Sequence, residues 1–187
     1  MRVAVISDTH IPSRAAALPA ACLERLREAD LILHAGDVSD AATLAVLGSL
    51  GAPLVAVRGN VEEPEVRQRL GETEEVDAAG LQIGLVHDAG PEAGRPARLR
   101  RRFPGADLVV FGHSHVPLLD RGDDGFAIMN PGSPTDRRRQ GRCSMAEIDL
   151  DERGAFEIRF LAVDDPAGPL PPELVRGASR RGGGRRP

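Results

Sequence analysis

The 187-residue chain is predicted to fold as an α/β sandwich in which two β-sheets are flanked by helices. In the first half, strand-like and helix-like segments alternate, which favours a mainly parallel sheet with helices packed on it. In the second half, many short strand-like runs are separated by turn signals, which favours a second, largely antiparallel sheet. Apolar residues make up 41% of the chain and aromatic residues only 3%, so we expect a core of Val, Leu, Ile and Ala.

The first half contains three strand-like runs and two helix-like segments. The runs are short, apolar and rich in β-branched residues, whereas the segment that includes Leu18 and Leu26 carries its apolar residues at helical spacing. Asp40 is expected to cap the second helix and Gly51 to stop it. The expected strands are residues 3–7, 30–34 and 53–57, and the expected helices are residues 18–28 and 41–50.

The second half contains seven strand-like runs and one helix-like segment. The expected strands are residues 74–78, 81–86, 108–111, 116–120, 126–130, 144–150 and 155–161, and the expected helix is residues 95–103. From residue 164 onward the pattern stops, and Pro, Gly and Arg become frequent. We therefore expect one domain over residues 1–163 and a tail over residues 164–187 that is disordered from about residue 176.

The charged residues exclude two kinds of chemistry. The chain has 24 basic residues and all of them are arginine, so neither a Schiff-base lysine nor a Walker-type phosphate lysine is present. The net charge is −4, and five of the arginines lie in residues 176–187, so the rest of the chain is more acidic than this value. An acidic protein that handles phosphates needs an additional source of positive charge, which metal ions would supply.

The cysteines and the hydropathy pattern favour the cytoplasm. Cys22 and Cys143 lie far apart and match no metal-ligand spacing, which indicates free thiols in a reducing compartment. The sequence shows no basic and apolar leader, and no apolar run reaches the roughly 18 residues that a membrane span needs. The pattern leaves the oligomeric state open.

Polar residues of the kinds that bind metals follow five of the expected strands. Each of them, taken singly, fits a turn or a helix cap as well as a metal ligand. The repetition of such residues after several strands favours metal ligands over turns and caps, because ligands collect at the carboxyl ends of strands in open α/β sheets. Four of the five histidines occupy such positions. The full set is Asp8, His10, Asp37, Asn60, His87, His113 and His115.

In chain order these residues form short motifs that resemble those of the calcineurin-like metallophosphoesterase superfamily. The motifs are Asp8-x-His10, Gly36-Asp37, Gly59-Asn60, His87 and Gly112-His113-Ser114-His115. The short chain, and the segment Asn130-Pro131-Gly132-Ser133, resemble the small YfcE-like phosphodiesterase branch. The resemblance extends from residue 3 to about residue 160 and implies the two-sheet sandwich of that superfamily, with a dinuclear metal site at the carboxyl ends of strands.

The resemblance implies two divalent ions that share one carboxylate. One ion would be held by Asp8, His10, Asp37 and His115, and the other by Asp37, Asn60, His87 and His113. The mixed nitrogen and oxygen ligands favour Mn²⁺, with Zn²⁺, Fe or Ni²⁺ as alternatives, over Ca²⁺. The implied reaction is hydrolysis of a small-molecule phosphodiester by a metal-bridging hydroxide, with Asp37, Asn60 and His87 as the catalytic residues.

Some features depart from the motifs of the family or fall outside them. Larger members carry a histidine after Gly-Asn, where this chain has Val61 followed by Glu62, so the group that protonates the leaving oxygen is unassigned. Asp88 replaces a glycine and is expected to be a turn residue rather than a partner of a ligand imidazole. His34 is expected to be structural or to support the ligands. Arg residues 137–139 are a candidate phosphate contact, with a solvated loop as the alternative.

The same fold permits two other functions. A Vps29-like protein-interaction scaffold would be expected to have lost ligands, and none is missing here. A nuclease is disfavoured by the acidic body and by the few aromatic residues available for base stacking, although the arginine-rich tail could add salt-sensitive attraction.

Overall fold

The computed structural model describes residues 1–151 and 155–177, which form two mixed β-sheets flanked by helices. The elements in chain order are β1 Arg2–Ile6, α1 Ala20–Arg27, β2 Leu31–His34, α2 Ala41–Gly48, β3 Leu54–Ala56, α3 Pro64–Arg69, β4 Thr73–Ala78, β5 Leu81–Val86, α4 Arg95–Arg102, β6 Leu108–Phe111, β7 Leu118–Arg121, β8 Ala127–Asn130, β9 Ser144–Leu150, β10 Phe156–Ala162 and β11 Gly168–Pro169, followed by a 3₁₀ helix over Pro172–Leu174. Among the described residues, no helix combines the length and apolar character needed to cross a bilayer.

The first sheet has the order β11-β10-β9-β1-β2-β3. β1, β2 and β3 are parallel, as expected, but β9 lies antiparallel to β1 and brings β10 and β11 with it. The prediction of a mainly parallel sheet is therefore wrong, and the sheet is mixed. The physical reason is that β1 is buried from Val3 to Ile6, so its backbone needs a hydrogen-bonded strand on each side.

The second sheet has the order β4-β5-β6-β8-β7 and is also mixed. The central pairs β5–β6 and β6–β8 are parallel, and the outer pairs β4–β5 and β7–β8 are antiparallel. The prediction of a largely antiparallel sheet is thus wrong. Parallel neighbours need a crossover connection, and α4 provides it between β5 and β6.

The main core lies between the two sheets. Val3 and Val5 of β1 face it together with residues of the second sheet such as Leu85 and Val110. The other face of β1 packs under α1. Because both faces of the central strands are covered, the loops at the strand ends are held on a rigid frame.

One predicted helix cap is confirmed, and one helix was not predicted. Asp40 caps α2 as expected, because its carboxylate accepts a hydrogen bond of 2.7 Å from the Thr43 N–H. The sequence interpretation missed α3, a helix of six residues in which only Val66 is buried. Such a short helix carries too few apolar residues to show a helical period.

The chain packs on the sandwich beyond residue 163. Leu170 and Val175 are buried in the main core, and the Arg176 N–H donates to the Pro117 carbonyl at 2.9 Å. The packed part therefore extends from the predicted boundary at residue 163 to at least Arg176. The predicted disorder concerns mainly residues 178–187, which lie outside the described residues.

Candidate metal centre

The predicted ligands lie at one end of the sandwich, where loops from both sheets meet. Asp8 and Asp37 follow the parallel neighbours β1 and β2, and the Asp8 N–H donates to the Gly36 carbonyl at 2.9 Å. His87 follows β5, and His113 lies two residues beyond the end of β6. The His113 N–H donates to the Asp8 carboxylate at 3.0 Å and so ties the second sheet to the first.

Five of the seven predicted ligands have a left-handed backbone. They are Asp8, His10, Asp37, His113 and His115, with φ angles of 56°, 44°, 60°, 67° and 58°. Asp and His tolerate this region better than most residues, but each such residue still costs about 1–3 kcal/mol. The strain concentrates at the predicted ligands, so the surrounding contacts must hold their loops in place.

The first group of predicted ligands consists of Asp8, His10 and His115. The two imidazole Nε2 atoms lie 3.0 Å apart, and the His115 Nε2 lies 3.3 Å from Asp8 Oδ1. His115 Nδ1 lies 2.5 Å from the Asp136 carbonyl oxygen and therefore donates to it, which leaves Nε2 facing the group. The three side chains are buried and could hold one metal ion.

The second group is organised around Asp37. Its Oδ1 accepts hydrogen bonds from the N–H groups of Asn60 (2.8 Å) and Val61 (3.3 Å). Its Oδ2 is thereby left to face the imidazoles of both groups, 3.5 Å from His10 Nε2 and 3.3 Å from His87 Nε2. One oxygen of Asp37 is thus placed between the two groups, as a shared carboxylate requires. Asp8 also lies within reach of both.

The open side of the centre is formed by Asn60 and His113. The Asn60 Oδ1 lies 3.1 Å from His87 Nε2 and 3.1 Å from His113 Nδ1. His87 donates from Nδ1 to the Ala35 carbonyl at 2.8 Å, which directs its Nε2 into the centre. Asn60 and His113 are exposed, unlike the five other predicted ligands. They face a cavity of about 400 Å³.

The chemistry of the donor set fits divalent ions. Two Nε2 atoms that face each other share at most one proton, and the buried carboxylates of Asp8 and Asp37 add negative charge to the same space. Buried charges and lone pairs of this kind are stable when they coordinate a cation. The mixture of imidazole and oxygen donors is the type that binds Mn²⁺, Fe, Ni²⁺ or Zn²⁺.

Without a metal, the Asp37–His87 contact behaves as an ion pair. Burial raises the pKa of Asp37, but the hydrogen bonds from His87 and from the Asn60 N–H outweigh this and lower it to about 2. Burial lowers the pKa of His87, but the hydrogen bond to Asp37 and the charge of Asp8 outweigh this and raise it to about 9. A metal ion that binds here takes the place of a proton.

The Glu62 side chain connects two of the loops that carry predicted ligands. Its Oε1 accepts hydrogen bonds from the N–H groups of Asp37 (2.7 Å), Gly59 (2.7 Å) and Val38 (3.3 Å). The side chain is buried and ties the loop after β2 to the loop after β3. Oε1 is therefore committed to the backbone, whereas Oε2 is buried and has no hydrogen-bond partner among the described residues. Because the carboxyl group is buried, it is not exposed to a substrate in the position of a proton donor. The sequence did not reveal this role, because the contacts depend on two loops 25 residues apart.

The segment after β8 supports the loop after β1. Ser133 Oγ donates to the Asp8 carbonyl at 2.7 Å, and Thr135 Oγ1 donates to the Thr9 carbonyl at 2.6 Å. Asn130 Nδ2 donates to the Gly112 carbonyl at 2.6 Å. The Asn-Pro-Gly-Ser motif and Thr135 thus hold the loops that carry predicted ligands.

Two glycines of the motifs are required by close approach. A Cβ atom on Gly59 would collide with Asp37 Oδ1, and a Cβ atom on Gly112 would collide with Ser7 Oγ and lie 2.8 Å from Asp8 Oδ2. Any side chain at either position would therefore displace a predicted ligand.

Other residues singled out in the sequence have supporting or peripheral positions. Asp88 Oδ1 accepts from the Gly90 N–H at 2.7 Å, which is a turn contact. His34 is fully buried, and its Nε2 lies 3.2 Å from Thr9 Oγ1, so it supports the loop after β1. Of the arginines at positions 137–139, Arg138 reaches the centre, because its guanidinium donates to the His113 carbonyl at 3.0 Å.

The chain is similar to known proteins over most of its length. The model of the calcineurin-like phosphoesterase superfamily domain matches residues 1–153. A probable metallophosphoesterase of Methanothermobacter thermautotrophicus is 39% identical over 143 residues, which cover 72% of this chain and 78% of the relative. A probable metallophosphoesterase of Methanocaldococcus jannaschii is 37% identical over 169 residues, which cover 88% of this chain and 83% of the relative.

Solved structures show the same fold. The wild-type Vps29 of Entamoeba histolytica, in complex with Zn²⁺, superposes with a TM-score of 0.74 at 26% identity, covering 89% of this chain and 94% of that one. The family model and the two relatives each span well over half of this chain. The chain therefore belongs to the calcineurin-like phosphoesterase superfamily.

Proposed function

We propose that the protein is a metal-dependent phosphodiesterase whose centre binds two divalent ions, Mn²⁺ being preferred. The observation that carries this proposal is Asp37 Oδ2, which lies between the imidazoles of His10 and His87 while Oδ1 is occupied by backbone N–H groups. Asp8, His10, Asp37 and His115 would hold one ion, and Asp37, Asn60, His87 and His113 the other.

The side chains of the centre have different proposed roles, according to where each one lies. Bound ions would lower the pKa of water to supply a nucleophile and would neutralise charge on the phosphoryl oxygens. Asp37 and His87 are kept in one orientation by the Asn60 N–H and by the Ala35 carbonyl. Asn60 and His113 border the cavity and are therefore placed to meet the phosphoryl group of a substrate.

No acidic side chain is positioned for the leaving group in the segment where larger relatives carry a histidine. Val61 has no titratable group, and the Glu62 carboxylate is buried with Oε1 bound to three backbone N–H groups. A substrate whose leaving oxygen needs no proton is therefore favoured, and the rate should depend steeply on the pKa of the leaving alcohol. Aryl phosphodiesters should react faster than alkyl phosphodiesters.

The alternative is a Vps29-like interaction scaffold. The structural similarity to Vps29 of Entamoeba histolytica favours it, and that protein is itself described in complex with Zn²⁺. Metal binding by this chain would therefore not separate the two functions. Hydrolysis separates them.

The test is hydrolysis of bis(p-nitrophenyl) phosphate by the purified protein with added Mn²⁺. We expect Asp37→Ala and His87→Ala to lose at least about 100-fold in kcat/KM, since loss of a metal ligand removes the positioning and charge stabilisation that the ions supply. Asp123→Ala, which removes an exposed carboxylate from the turn between β7 and β8, serves as the control. Equal rates in the parent and in both ligand variants would reject the enzyme in favour of the scaffold.

A further inference from the structure

The cavity beside the metal centre has a wall of arginines. Asn60 and His113 border it on the side of the centre, and Arg58, Arg67 and Arg102 line it as well. The three arginines come from different elements: Arg58 follows β3, Arg67 lies on α3 and Arg102 ends α4. We call these three residues the arginine wall. The cavity has a volume of about 400 Å³, which is within the range of small-molecule sites.

Two members of the arginine wall are held in place. Arg67 donates to the Asn60 carbonyl at 3.0 Å and to the Glu62 carbonyl at 3.4 Å, so its guanidinium is fixed to the loop that carries a predicted ligand. Arg58 forms an ion pair of 2.6 Å with Glu72. A group in the cavity would therefore meet the Arg67 guanidinium at a position set by the fold, and beside it the Arg58 guanidinium in an exposed ion pair.

Positive charge exceeds negative charge around the cavity. Three guanidinium groups face two carboxylates, those of Glu72 and Asp88, and Glu72 is already paired with Arg58. Arg102 lies near enough to Glu72 to contribute to the lowering of its pKa, although Arg58 is the main cause. In a chain with a net charge of −4, this local excess is opposite to the overall balance.

The lining also indicates what the cavity does not select. Among the described residues that line it, no Phe is present, and the chain contains no Trp or Tyr. The cavity therefore offers a nucleobase no aromatic ring for stacking other than the imidazoles at its border, and the guanidinium planes are the remaining stacking surfaces. Recognition there depends on charge, and guanidinium groups pair with phosphate and carboxylate oxygens in two-pronged hydrogen bonds.

We propose that the arginine wall binds a second anionic group of the substrate while the first, the reacting phosphate, lies at the metal centre. The substrate class is thus a phosphate ester that carries a further phosphate or carboxylate on the group directed into this cavity. This proposal rests on the proposed function, because it places the reacting phosphate between Asn60 and His113.

The test compares three inhibitors of similar length on the Mn²⁺-loaded protein: propylphosphonate, 3-phosphonopropionate and propane-1,3-diphosphonate. Each is titrated against bis(p-nitrophenyl) phosphate hydrolysis and, separately, by calorimetry without substrate. We expect the second anionic group to tighten binding about 10-fold or more, the effect of one charge-assisted hydrogen-bonded pair. A larger gain from the diphosphonate identifies a phosphate, and a larger gain from 3-phosphonopropionate identifies a carboxylate.

Variants on α4 assign the effect to the cavity. Arg102→Gln should reduce the gain from the second anionic group to about twofold or less, whereas Arg101→Gln should retain it. Arg101→Gln removes the same charge from the adjacent position of α4, and Arg101 borders a different cavity. Extraction of Mn²⁺ by the diphosphonate would affect both variants equally, so a difference between them reports on the arginine wall.

The proposal is overturned if the parent shows no gain from the second anionic group, or if Arg102→Gln and Arg101→Gln keep the same gain. If instead the proposed function is wrong, the parent hydrolyses no diester. Calorimetry still measures whether the second anionic group tightens binding, so the two failures can be told apart.

Discussion

Replacing Glu62 by Ala is expected to weaken both the folded protein and its metal centre. The buried carboxylate accepts two backbone hydrogen bonds of 2.7 Å and one of 3.3 Å from two ligand-bearing loops. A hydrogen bond to a charged group contributes about 1.5–3 kcal/mol, so loss of the two short bonds costs ~3–6 kcal/mol, with little from the third. Such a loss is a large part of the ~5–15 kcal/mol by which most domains are stable.

The assay is urea unfolding of the metal-free protein, followed by circular dichroism, together with calorimetric titration of Mn²⁺. The midpoint for Glu62→Ala should fall by at least about 1 M urea, and Mn²⁺ binding should weaken because the left-handed backbone of Asp37 loses its support. Glu62→Gln keeps an acceptor without the charge and should show about half the loss of stability.

Glu63→Ala is the matched control, since Glu63 is exposed and its side chain makes no capping hydrogen bond at α3. The reasoning is refuted if Glu62→Ala and Glu63→Ala unfold within about 0.5 kcal/mol of each other, the ordinary range for surface substitutions. A different outcome, in which Glu62→Gln slows only alkyl phosphodiesters and leaves stability unchanged, would instead identify Glu62 as the proton donor.

Three further predictions concern other parts of the molecule. Burial lowers the pKa of His34 to about 4, so between pH 6.5 and 4 the unfolded chain binds a proton that the native protein does not. As the pH falls through this range, the free energy of unfolding of the metal-free parent should therefore decrease by up to ~3 kcal/mol more than that of His34→Gln. Urea unfolding at several pH values measures this difference. Gly59→Ala should abolish tight Mn²⁺ binding in calorimetry while Gly48→Ala, which meets open space, does not. Leu170→Ala should cost ~2–5 kcal/mol of unfolding free energy against less than ~0.5 for the exposed Glu173→Ala, and equal midpoints would remove residues 164–177 from the folded unit.

Most strands could be located from the sequence, but their neighbours could not. The runs at β5, β6 and β9 were predicted with the bounds that the structure shows. Their pairing was not, because a largely buried strand such as β9 satisfies its local pattern equally well in either sheet. Its place beside β1 depends on which backbone edge remains open after β2 has paired with the other side.

The candidate ligands could be selected from the sequence because each follows an apolar run, and the position of a strand end is a property of neighbouring residues in the chain. The tertiary structure decided the rest: that Asp37 presents one oxygen to two imidazoles, that Glu62 faces the backbone and that Arg58, Arg67 and Arg102 share one cavity. Asp8 and His115 are 107 positions apart in the chain, yet their side chains meet at 3.3 Å. Local hydrophobic patterns carry no information on such distances, because these are set by how the two sheets pack.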